Sequence, residues 1–157
     1  MRNRGEEAYS YFLEGYNCSQ AVVMAYRDFF PSHALSSILS LSSPFGGGMG
    51  RLREVCGTVS GMFLVAGVLY GYDKPDAQLE KTEHYKRIQE LASHFREENG
   101  SIICRELLGL KQGWDEPVPE LRTAEYYKKR PCSKLAGMSA RIMDSYIKEQ
   151  EEKNKNS

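Results

Sequence analysis

Apolar residues recur along this chain at intervals of three and four, the spacing of one face of an α-helix, and period-two alternation is scarce. Residues 4–14 predict a first helix with Ala8, Tyr11 and Phe12 on one side, broken by Gly15 and Asn17. Cys18, Ala21, Val22, Ala25 and Phe29 fall at i, i+3, i+4, i+7 and i+11 and predict a second helix, which Pro31 ends. Asn17 suits its N-cap, and Gln20 stands where a capping-box partner belongs. A short helix over 33–41 leads into a glycine-rich loop, Pro44-Phe45-Gly46-Gly47-Gly48-Met49-Gly50.

The most apolar stretch, residues 55–72, follows that loop. It approaches the ~20 residues of a membrane span, and Gly57, Gly61, Gly67 and Gly71 have the spacing of closely packed membrane helices. No aromatic or basic belt flanks it, so a buried apolar helix at the centre of a bundle is expected instead. A long helix over 76–98 carries Ile88, Leu91, Ala92 and Phe95 as its stripe, and Asn99-Gly100 stops it. Ser101 is placed to cap a short helix that contains Cys104 and ends at Gly109. Residues 111–130, rich in proline and charge, read as a long surface connection with a little helix. Pro131 opens the last helix, whose buried face is Leu135, Met138, Ile142 and Tyr146. Residues 149–157 form a polar tail expected to fray. The expectation is one all-α domain over residues 1–157, a bundle of about five to seven helices.

Charge changes this picture little. Lys plus Arg and Asp plus Glu each number 21, so the net charge is zero, unlike the basic excess of a nucleic-acid binder. The densest basic run, Lys128-Lys129-Arg130, reads as solvated surface. The first residues lack the apolar run of a secretory signal, so a soluble cytoplasmic protein is expected. In a reducing cytoplasm, cysteines bind metal or do redox work more often than they form structural disulfides.

The four cysteines, Cys18, Cys56, Cys104 and Cys132, carry the candidate chemistry. Each falls at or beside an expected helix start, where unpaired N–H groups and the helix dipole favour a thiolate. At least one thiol is therefore expected to titrate below the ordinary cysteine value. Cys-x-x-Cys is absent, so any shared centre depends on the fold. Cys56, where the glycine loop, a helix start, Arg51 and Arg53 coincide, is the favoured nucleophile, with Cys18 next. The glycines Gly46, Gly47 and Gly48 suit close backbone approach or a phosphate cradle, and Arg51 suits an anion.

Tyr16-Asn17-Cys18-Ser19-Gln20-Ala21, Phe45 to Gly50, Val55-Cys56-Gly57-Thr58-Val59-Ser60-Gly61, Cys104 with Leu107-Leu108-Gly109, and Cys132 together resemble the C_GCAxxG_C_C family of putative redox-active proteins. That family's second motif reads Cys-Gly-Ala-x-x-Gly; Cys56, Gly57 and Gly61 match it, and Thr58 stands where alanine is expected. The resemblance implies a redox role centred on the four cysteines. Dithiol–disulfide exchange with a redox partner protein or a small thiol, needing no cofactor, is the leading expectation. A metal module is the rival, with the same four thiolates holding zinc or an iron–sulfur cluster. Cysteines that merely fill the core are the third reading. A homo-oligomer is compatible with either active reading; nucleic acid and a membrane span are not expected.

Overall fold

The computed structural model describes residues 2–111 and 113–157. Among them the regular structure is α-helical, with short 3-10 turns and one isolated antiparallel bridge between Val55 and Ile103. The described residues form eight α-helices, one more than the upper expectation: α1 Arg4–Leu13, α2 Cys18–Ala25, α3 Leu35–Ser42, α4 Gly57–Tyr70, α5 Gln78–Asn99, α6 Cys104–Leu107, α7 Ala124–Lys129 and α8 Cys132–Lys155. The short helix expected at Cys104 is α6, and the little helix expected within the proline-rich connection is α7, which brings the count above seven. Gly46–Met49 closes a helix-like hydrogen bond from Gly50 N–H to the Gly46 carbonyl, but Gly47, Gly48 and Met49 have left-handed φ, and it is a turn.

Asn17 and Gln20 form the reciprocal capping box at the start of α2: Gln20 N–H donates to Asn17 Oδ1 at 2.9 Å, and Asn17 N–H to Gln20 Oε1 at 3.2 Å. The periodic run through Phe29 breaks earlier than expected, at Ala25, and tightens into a 3-10 turn over Arg27–Phe29. Ser101 does not cap α6. Its hydroxyl instead accepts the Ile103 N–H, and Ile103 is the N-cap residue.

The core lies where α1, α2, α4 and α8 meet, with α5 against α4 and α8. Phe12, Val22, Tyr26, Val59, Met62, Leu91, Phe95 and Met143 fill it. In α4 all residues from Gly57 to Met62 are buried, whereas Val68 is 47% exposed, so the apolar stretch is enclosed at its N-terminal half. None of the described helices is long and apolar enough to cross a membrane. The helices α1 and α8 cross at glycine on glycine: a Cβ on Gly5 would stand 3.1 Å from the Gly137 carbonyl oxygen, and one on Gly137 3.0 Å from that of Gly5.

Candidate functional site

Three of the four cysteines are the first residues of their helices, Cys18 of α2, Cys104 of α6 and Cys132 of α8, and Cys56 is the N-cap residue of α4. Two local devices bring these starts together. The first ties α2 to the glycine loop. Asn17 caps α2 with its oxygen and donates Nδ2–H to the Ser43 carbonyl at 3.0 Å. The loop then lies over the start of α2, where a Cβ on Gly46 would stand 2.7 Å from the Asn17 side chain. Gly57, next to Cys56, packs so closely that any Cβ there would overlap the Cys18 sulfur.

The second device is the bridge between Val55 and Ile103. Cys56 N–H donates to the Ile102 carbonyl at 2.8 Å, and Cys104 N–H to the Glu54 carbonyl at 2.6 Å. Side chains alternate along paired extended segments, so Cys56 and Cys104 leave the bridge on the same face. Ahead of the bridge the chain makes a left-handed run. Gly47, Gly48, Met49, Gly50 and Arg51 have φ of 69°, 68°, 69°, 64° and 70°, and Arg53 has 60°. This coil delivers the Arg53 side chain, 4% exposed, to Cys104: Nη1 donates to Sγ at 3.6 Å, and Nε donates to Asp115 Oδ2 at 2.7 Å.

The result is a single cavity of about 270 Å³ with all four cysteines in its wall. Residues 113–130 supply the outer wall. Asp115 N–H donates to the Arg51 carbonyl at 3.0 Å, and Arg51 Nε donates to the Glu116 carbonyl at 2.6 Å. Arg122 donates to the Phe12 and Tyr16 carbonyls at 2.9 and 3.2 Å, and its guanidinium lies 4.1 Å from the Phe12 ring centre. Arg130 pairs with Glu120.

Burial outweighs the helix starts for three of the thiols. It pushes the Cys18 thiol up, opposed by the backbone N–H groups of Gly47, Ser19 and Cys18 itself. Burial likewise drives Cys56 far above the ordinary cysteine range and Cys132 up to about 12. The expected activation at helix starts fails at these positions because an apolar wall costs a charge more than a dipole end returns. A thiol whose folded value is raised binds its proton in the folded chain after the unfolded chain has lost it. Its stabilisation is full below the unfolded value and disappears as pH climbs to the folded one. We expect the unfolding free energy to fall by about 1.4 kcal/mol per pH unit for each such thiol from roughly pH 9 upward, read by denaturant titration at successive pH values. A flat profile between pH 9 and 11 would contradict the burial argument.

The other sequence candidates separate. Gly46, Gly47, Gly57 and Arg51 line the cavity. Gly48 stands behind the wall against the Cys104 Cβ, and Gly61 lies at the α2–α4 contact, where a Cβ would come 2.6 Å from the Ser19 carbonyl oxygen. Of the basic run taken for solvated surface, Lys128 and Lys129 are exposed, but Arg130 lines the cavity with its side chain only 14% exposed. Arg122, Asp115 and Glu120 went unnoticed in sequence; arginine and acid within a proline-rich connection give no periodic signal.

The family model described as "Putative redox-active protein (C_GCAxxG_C_C)" matches residues 16–146, most of the chain and all four cysteines. This chain belongs to the C_GCAxxG_C_C family. No curated protein and no solved structure matches it. Against the C_GCAxxG_C_C motif the departure at Thr58 has a structural role: Thr58 Oγ1 lies 3.2 Å from Cys56 Sγ and accepts the Ser139 hydroxyl at 3.0 Å, all three residues being buried. Thr58→Val keeps the shape and strands the Ser139 hydroxyl, which should cost about 1–3 kcal/mol. Adding Ser139→Ala should return part of that loss; a double variant no more stable than Thr58→Val would break this account.

Proposed function

We propose that the chain is a thiol–disulfide exchange protein, with the four-cysteine cavity as its centre. The convergence of four free cysteines, remote in sequence, on one cavity carries this reading. Cys104 is the attacking residue, in place of Cys56. A cationic hydrogen-bond donor at a sulfur favours the reacting thiolate, and Arg53 supplies one to Cys104. Cys56 has the Thr58 hydroxyl instead. Cys18, at the start of α2 in the wall of the same cavity as Cys104, is the resolving thiol. The Cys104 thiolate attacks a disulfide RS–SR, forming a protein–SR bond and releasing RS⁻. Cys18, losing its proton, attacks the Cys104 sulfur, forms the intramolecular disulfide and releases the second RS⁻. The protein gives up two electrons and two protons, and the disulfide becomes two thiols.

A metal site draws less support. Four thiolates suit zinc or an iron–sulfur cluster, but among the described residues no three His, Cys, Asp or Glu side chains are grouped to hold an ion. The test is a thiol count on reduced protein treated with 2-hydroxyethyl disulfide. Two thiols should disappear, return with dithiothreitol, and map to Cys18 and Cys104. Cys104→Ser should stop at the starting count. Four unreactive thiols, or stoichiometric metal lost on Cys→Ser substitution, would overturn the proposal.

A further inference from the structure

The cavity wall is electrically lopsided. Beside the cysteines and the Tyr126 phenol, the ionisable groups lining it are Arg51, Arg53, Arg122 and Arg130, and one carboxylate, Glu120. Glu120 is taken by Arg130. Asp115, outside the lining, serves Arg53 at 2.7 Å and Arg51 at 3.7 Å. Four guanidiniums thus share two carboxylates. Among the described residues Arg122 makes no ion pair; its hydrogen bonds go to the Phe12 and Tyr16 backbone carbonyls, which leave its charge in place. A guanidinium carries five donors, so Arg122 keeps donors for a further partner. Charge of one sign in a low-dielectric cleft concentrates ligands of the opposite sign, and planar guanidiniums match carboxylate or phosphate oxygens.

We propose that the cavity selects a small anionic disulfide, one whose carboxylate or phosphate groups bind at Arg122 and the neighbouring arginines while its sulfur–sulfur bond faces Cys104. This rests on the exchange reaction above and adds the substrate class. At about 270 Å³ the cavity is near the lower limit of ligand pockets, so the reacting portion is a compact molecule. Reduction yields two anionic thiols, RSH with the acid group retained, and the electrons come from the protein dithiol.

Three disulfides of similar length separate the possibilities: dithiodiglycolate, a dianion; 2-hydroxyethyl disulfide, neutral; and cystamine, a dication. Thiol loss from reduced protein is followed at low ionic strength, each rate being divided by that of free 2-mercaptoethanol with the same disulfide. The normalised rate should be about tenfold higher for the dianion than for the neutral compound, and lower again for the dication. Salt should compress the series, since screening weakens charge attraction at the cavity mouth. Arg122→Gln and Arg130→Gln should each reduce the ratio of dianion to neutral rates. Should Arg122→Gln fail to fold, the wild-type series and its salt dependence decide alone. Equal normalised rates for all three would sink the anion preference and leave the exchange reaction standing. No thiol loss with the neutral disulfide, under conditions where 2-mercaptoethanol reacts, would sink the exchange reaction itself.

Discussion

Gly48→Ala should cost about 3 kcal/mol or more, a large share of the 5–15 kcal/mol that holds a domain together. Gly48 has φ of 68°, and an alanine forced into the left-handed region loses about 1–2 kcal/mol. The new Cβ would then stand 2.5 Å from Cys104 Cβ and 2.9 Å from both Arg53 Cα and Glu54 N. Two of those neighbours are backbone, so relief requires moving the chain that carries Arg53, at a further cost of about 1–3 kcal/mol. Gly47→Ala is the control. It has φ of 69°, but its Cβ would first meet the flexible Arg51 side chain at 3.0 Å, so only the conformational term of about 1–2 kcal/mol applies. Denaturant midpoints of the two variants would decide, and equal losses would show that the crowding at Cys104 is unimportant.

Arg53→Met should slow alkylation of Cys104 by about tenfold, measured with iodoacetamide in a Cys18→Ser, Cys56→Ser, Cys132→Ser background. A hydrogen bond to a charged group contributes about 1.5–3 kcal/mol, and part of that gain is offset because a stabilised thiolate is a weaker nucleophile. Arg53→Lys should not rescue the rate, because the fork that reaches Cys104 through Nη1 and Asp115 through Nε has no counterpart in a lysine. An unchanged rate in Arg53→Met would return the nucleophile to Cys56 or Cys18. Far-ultraviolet circular dichroism of each variant checks that the helices remain.

The long elements were open to sequence reading because periodicity and punctuation agree. Asn17 with Gln20 marks the start of α2, Gly100 with φ of 83° ends α5, and Pro131 precedes α8. Cys18 was legible at a helix start because the Asn17 cap announces it, whereas the starts at Cys56, Cys104 and Cys132 follow a glycine loop, an extended bridge and a proline without a side-chain cap. The electrostatics around them were not legible. Placing a sulfur at a helix end says nothing about how dry its surroundings are, and burial decided the direction for Cys18, Cys56 and Cys132. Arg53 was seen beside Cys56 in sequence, but the left-handed run through Met49, Arg51 and Arg53 turns its side chain to Cys104. Non-glycine residues rarely adopt that conformation, so no local rule foretells it. The bridge at Val55 and Ile103 joins segments 48 positions apart in number and leaves no local trace either.

The packing of α1 against α8, glycine on glycine at Gly5 and Gly137, bears on how the centre comes into being. The cavity draws on α2, the glycine loop, the Cys104 turn, the 113–130 wall and the start of α8, so its walls reach from Phe12 to Leu135. Contacts between distant parts of a chain form late, since the intervening length must be ordered first. During synthesis Cys18 and Cys56 leave the ribosome long before Cys132. Until the final helix docks, those thiols lack the part of the wall that Cys132 and Leu135 supply. Closing α8 onto α1 is the event that sets Cys132 into the same wall as the other three.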